Sequence, residues 1–190
     1  MTEIKEEVLL NTSSNKEKEA DLSFFAKKAE ETQKLEKFYL DEEKTEYLEY
    51  YPIFGRDKRD NVIKELFKTI AEAEENNIEF FESFEQEDLY LNFLIIKHFV
   101  PKIYNLLEGK DIYAHIEALT AMYHSDYIAI LINEMFDLKE VDKIMNQHTE
   151  ARARAKKLSH MIEASLTQVN NTVQNQGLKK VAEKAMKGKK

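Results

Sequence analysis

The sequence predicts an all-α protein: a single compact helical domain of about five to seven helices with a disordered N-terminal arm and a basic C-terminal tail. Three observations lead there. Only four Gly and two Pro punctuate 190 residues, so the elements are few and long. Apolar residues recur at spacings of three and four along most of the chain, the period of one helix face. The densest apolar sequence lies between Asp88 and Met145 and supplies the core.

Residues 1–20 are rich in Glu, Lys, Asn and Ser and have little to bury, the composition of a flexible arm. The helical domain spans residues 21–176 and the flexible tail 177–190. Asp21 stands where an N-cap belongs, ahead of a face made of Leu22, Phe25, Ala26, Ala29, Leu35, Phe38 and Tyr39. That face predicts one helix reaching Tyr39. Tyr47 to Phe54 is dense in aromatics and carries Pro52 before Gly55, which reads as a loop or turn. Asp57 or Asp60 caps the next helix, whose stripe is Val62, Ile63, Leu66, Phe67, Ile70 and Ala71.

Leu89, Phe93, Ile96, Val100, Ile103 and Leu107 alternate spacings of four and three in a helix that Pro101 kinks without breaking. Gly109 closes it as the residue after the C-cap. Asp111 caps a helix striped by Ile112, Ile116, Leu119 and Met122, and His124-Ser125-Asp126 offers a cap for Tyr127 to Phe136. Asp137 with Glu140 three positions on supplies both ends of a capping box. The long helix that follows packs its first half on the core and projects or frays in its second. The tail, LKKVAEKAMKGKK after Gly177, is too short to be stably helical alone.

The net charge of −8 argues against a surface built throughout for nucleic acid or anionic lipid. It is unevenly spread: residues 21–100 hold 20 acids and 11 bases, whereas Gly177–Lys190 holds six Lys against Glu183. With no Cys there are no disulfides, no thiolate ligands and no thiol nucleophile, which suits a reducing cytoplasm. The first residues are acidic and lack a signal-peptide pattern, and charges or Pro101 break every apolar run before membrane length, so a soluble cytoplasmic protein is expected.

No enzymatic motif stands out, and no cofactor or metal is expected. The chain lacks a glycine-rich phosphate loop, G-x-S-x-G and H-E-x-x-H. None of the five His has a carboxylate three residues before it, so the Glu-x-x-His pairs of a bundle di-iron site are missing too. His124 and Asp126 are the only close His/Asp pair; their junction position favours capping over catalysis. His115 reads as an ordinary partly buried side chain. Arg152, Arg154, Lys156 and Lys157 could touch phosphates, although flanking Glu150 and Glu163 make a solvated helix face the better account.

From Glu72 to Asp88 eight acids and no base interleave with Ile78, Phe80, Phe81 and Phe84. This is either a docking surface for a basic amphipathic partner or a helix connection whose Phe residues face the core.

In the middle of the chain LNFLIIKHFV (91–100) precedes IEALTAMYHSDYIAILINEMFD (116–137), a capped LKEVDKIMNQ (138–147), and a polar, lysine-ended tail. Over roughly residues 60–150 this order resembles the tail assembly chaperones of long-tailed phages of Gram-positive bacteria. The resemblance implies a small, acidic, helical, non-structural helper that coats the tape measure protein before the tail tube polymerises, often made also in a frameshifted longer form, and the missing motifs make it non-enzymatic. A chaperone for a long, apolar, helical protein needs exposed apolar or aromatic surface on a charged body. Tyr47, Tyr50, Tyr51, Phe80, Phe81 and Phe84, with Lys179, Lys180, Lys184 and Lys187 of the tail, are the candidate partner-binding residues, and homo-oligomers are compatible with the pattern. Two other functions stay open: a small phage or plasmid regulator contacting nucleic acid through its basic C-terminal segment, and a capsid scaffolding protein dimerising through the long helix.

Overall fold

The computed structural model describes residues 21–81 and 83–187, with side chains through Gln168. The arm expected over residues 1–20 lies outside that range. The described residues form seven α-helices and one short hairpin: α1 (Leu22–Glu31), β1 (Glu36–Tyr39), β2 (Tyr47–Tyr50), α2 (Arg56–Glu75), α3 (Phe84–Phe99), α4 (Pro101–Leu107), α5 (Ile112–His124), α6 (Tyr127–Ile130) running into a π turn (Leu131–Met135), and α7 (Leu138–Lys187). The predicted all-α class stands, with the hairpin as its one addition.

α3 is the axis of the core. Tyr90, Leu91, Phe93, Leu94, Ile95, Ile96 and Phe99 are fully enclosed, as a helix apolar on nearly every side must be. Ser83 opens it with a complete capping box, accepting from the Gln86 N–H while the Gln86 side chain accepts from the Ser83 N–H. Around α3 pack the Val62, Ile63, Leu66, Ala73 face of α2, then Leu119, Ile128, Leu131, Met135 and Phe136, and finally Val141 and Ile144 of α7.

Three local readings are corrected. The first helix stops at Glu31; Leu35 lies in the connection after it, Phe38 and Tyr39 lie in β1, where Phe38 pairs with Leu48 and Tyr39 with Tyr47, and Tyr47–Tyr50, expected as loop, is the second strand. Asp41 organises the turn by accepting from the Thr45 and Glu46 N–H groups at 2.9 and 3.0 Å. Pro101 ends α3 instead of kinking it: Val100 turns extended and Pro101 becomes the first residue of α4, where its missing N–H costs nothing. The Phe99 carbonyl freed by this break accepts from the Tyr51 N–H at 2.9 Å, fastening the hairpin to the core. Gly55, and neither Asp57 nor Asp60, is the N-cap of α2, without a side-chain hydrogen bond.

The signals at Asp21, Asp111 and Gly109 hold, and those at Asp126 and Glu140 do not. Asp21 accepts from the Ser23 and Phe24 N–H groups, Asp111 accepts from Ala114 N–H, and Gly109 takes φ +70° after α4. Asp126 heads α6 with φ +60° and makes no cap bond, a conformation that Asp tolerates better than most residues. Glu140 does not complete a capping box with Asp137; it reaches across the fold and accepts from the Phe54 N–H at 3.0 Å. Phe54 itself stacks on Phe99 at 3.7 Å and meets Phe136 edge-on.

The candidate partner-binding surface

Among its described side chains, α7 is packed only at its start. Val141, Ile144 and His148 are buried and Ala151 is half-buried, but every side chain from Arg152 to Gln168 is exposed. A clamp holds the packed part: Glu87 of α3, 9% exposed, accepts from His148 Nε2 at 2.7 Å and Arg152 Nη1 at 3.0 Å, and the Arg152 guanidinium lies 4.9 Å over the Phe84 ring. Beyond this clamp residues 152–168 extend for roughly 25 Å at 1.5 Å per residue. The backbone stays helical through Gly177 to Lys187, where the sequence indicated a separate short tail.

The free part of α7 is amphipathic. At about 100° per residue, Ala155, Leu158, Met161, Ile162 and Leu166 share an arc of roughly 140°. Leu158, Met161, Ile162 and Leu166 are 58%, 58%, 52% and 59% exposed. Four large apolar side chains in one stripe, with no body behind them, form the most coherent apolar surface among the described residues. Arg154 lies within the arc and Lys157 borders it. Arg154 is held by Glu150 at 3.0 Å, and the pair is solvated. α1 likewise buries nothing, and Leu22 and Phe25 are exposed.

The aromatic residues singled out from the sequence divide. Tyr50 and Tyr51 are half-buried: Tyr50 meets Phe136 edge-on at 5.7 Å, and Lys58 covers the Tyr51 ring. Phe80 and Phe81 are half-buried too and close edge-on over Tyr90. Tyr47 and Phe84 are the exposed pair, Tyr47 under the Lys37 ammonium and Phe84 under Arg152. The structure therefore gathers four of the six onto the core and leaves the other two at separate places. Lys179, Lys180, Lys184 and Lys187 fall in the last turns of α7, where side chains lie outside the described residues.

A polar cluster that sequence reading missed lies between α2, α3 and α5. Glu65 Oε1 is 2.5 Å from Lys97 Nζ and its Oε2 is 2.6 Å from His98 Nε2. Lys97 is only 3% exposed. Burial alone pushes the Glu65 carboxyl up, but the hydrogen bonds from His98 and Lys97, with their charge, outweigh it and hold the group down at about 2. Next to the pair His115 Nε2 lies 3.2 Å from the Leu107 carbonyl oxygen, and its Nδ1 lies 3.0 Å from the Tyr90 hydroxyl. A carbonyl only accepts, so Nε2 carries the proton and Nδ1 accepts from Tyr90. Burial pushes His115 down in pKa, which favours this neutral ring.

This cluster floors a cleft of about 360 Å³ rimmed by Lys64, Lys68 and Lys110. Both Glu65 oxygens are already engaged there. Among the described residues no group of three or more His, Asp or Glu side chains is placed to hold a metal ion. His124 touches Tyr123 ring to ring and makes no contact with Asp126 of the kind a catalytic pair requires.

A family model described as YomO matches residues 22–182, from the first residue of α1 almost to the end of α7. The chain belongs to the YomO family. YomO is a phage-associated family, which agrees with the resemblance to phage tail proteins at its coarsest level. The matched span includes both the helical body and the exposed part of α7. No curated protein and no solved structure matches the chain. Among the described residues no helix is long and apolar enough to cross a membrane.

Proposed function

We propose that this YomO-family protein is a phage tail assembly chaperone that acts without catalysis, in the host cytoplasm, by binding a tape measure-like helical protein and keeping it soluble until the tail tube forms around it. The observation that carries this reading is the exposed stripe Leu158, Met161, Ile162 and Leu166 on a helix whose described side chains pack on the body only in its first turns. An amphipathic helix with an unfilled apolar face pairs with another such helix, at anchors spaced by three and four. A long apolar client offers that face repeatedly. Tyr47 and Phe84 add exposed aromatic contacts on the body, and the phage-associated family supplies the setting.

The test is co-expression with the tape measure protein of the same phage. A soluble complex is expected with the wild-type chain, and the client should precipitate beside the L158S/I162S/L166S variant, whose substitutions lie on exposed positions. A client that stays insoluble with the wild-type chain, or is rescued equally by the variant, overturns the reading.

A further inference from the structure

We propose that the exposed part of α7 is a docking arm for an acidic amphipathic helix, so that charge as well as apolar fit selects the bound segment. This rests on the reading of α7 as a partner-binding helix and names the chemistry of what it binds.

Two observations point the same way. The first is the charge map. Residues 151–190 carry ten Lys or Arg and two Glu, a net +8, against −16 for residues 1–150, which together give the chain its −8. Three of these cations serve neither the core nor the Glu87 clamp: Lys156 and Lys157 enter none of the ion pairs found among the described residues, and Arg154 has only the exposed Glu150. The second is the placement of those charges. Arg154 and Lys157 lie along one edge of the stripe, and Arg152 lies beyond the other, at angles set by the helical period. A partner helix seated on Leu158, Ile162 and Leu166 brings its flanking positions within reach of these cations, where Glu or Asp attracts and Lys or Arg repels.

The apolar stripe favours a protein helix over a nucleic acid. Phosphates are met by polar, cationic faces, and here four large apolar side chains occupy the centre of the basic arc. The spacing is informative as well. Ala155, Leu158, Ile162 and Leu166 step by three, four and four, close to the 3.6-residue helical period. That period keeps the stripe straight along the helix instead of winding it as a heptad does. A straight apolar face accommodates one partner helix over many turns.

The experiment uses the full chain and three fluorescent peptides of about 25 residues that share one leucine stripe at this spacing and carry Glu, Gln or Lys at the flanking positions. The Glu peptide should bind at least about tenfold tighter than the Gln peptide and the Lys peptide weakest, with the differences collapsing in about 0.5 M salt. R154Q/K156Q/K157Q should bring the Glu and Gln peptides together, and L158S/I162S/L166S should weaken the Glu peptide by about a hundredfold, with unchanged thermal unfolding in both variants as the control for folding. Equal binding of the three peptides, or no binding by the Glu peptide, overturns the inference. So does a double-stranded oligonucleotide that outcompetes the Glu peptide and is indifferent to L158S/I162S/L166S. A tape measure client that co-purifies without acidic preference refutes this inference alone, and acidic preference without such a client refutes the chaperone reading alone.

Discussion

Replacing Glu65 by Gln removes one charge from the centre of the fold and leaves Lys97, 3% exposed, without its anion. A carboxyl held at about 2 in place of the usual 4.5 contributes about 3 kcal/mol to folding at neutral pH, at 1.4 kcal/mol for each tenfold in acidity. The Glu65 side chain is 21% exposed, so solvent screening is limited. The folded pKa is depressed, so this stability is present above pH 4.5 and drains away as pH falls from 4.5 to about 2. E65Q should therefore lose about 3 kcal/mol in urea titrations followed by circular dichroism at pH 7, or roughly 6 to 12 °C in melting temperature. The gap to wild type should narrow steadily below pH 4.5. The double variant E65Q/K97M, which removes both charges, should recover much of the loss, because an unpaired buried ammonium costs more than a vacated pair. An E65Q chain within about 1 kcal/mol of wild type, or one whose deficit is the same at pH 3 as at pH 7, would refute this account of the cluster.

Gly109 at φ +70° has nothing within 4 Å of where a Cβ would stand, so G109A should cost only the left-handed backbone penalty, about 1 kcal/mol; a stabilised variant in thermal unfolding would contradict that. A chain ended after Ala153 keeps the Glu87 clamp and loses only side chains exposed through Gln168. Its body should unfold within about 0.5 kcal/mol of the full chain in urea, and a larger drop would mean that α7 returns to the body.

Much of this fold was legible because helix ends are written in single residues. Asp21, Asp111 and Gly109 sit where their capping chemistry places them, and LNFLIIKHFV is buried all round as its composition requires. The hairpin was not legible because Leu35, Phe38 and Tyr39 keep helix-like spacings among themselves; the warning was the six-residue gap between Ala29 and Leu35, which at about 100° per residue puts Phe38 across the helix from Leu22. The Pro101 break turns on the Tyr51 N–H, which replaces a helical donor from far away in sequence. The Glu65 cluster joins residues 32 and 33 apart on different helices. Its signal was a Lys-His pair inside an otherwise apolar run, since a buried cation demands a partner. For the surface, sequence pointed to aromatics, four of which the core absorbs, while the half of α7 expected to project or fray was not read as a binding face. Its exposure along a coherent apolar stripe is what the structure adds.

Amide hydrogen exchange along α7 tests the central claim most directly. In the isolated protein, amides from Arg152 to Gln168 should exchange orders of magnitude faster than those of α3, because no buried contact holds that stretch closed. On binding a helical client they should become protected while the body changes little. Strong protection in the isolated monomer, or unchanged exchange in the complex, would contradict the claim that this exposed helix is where the protein works.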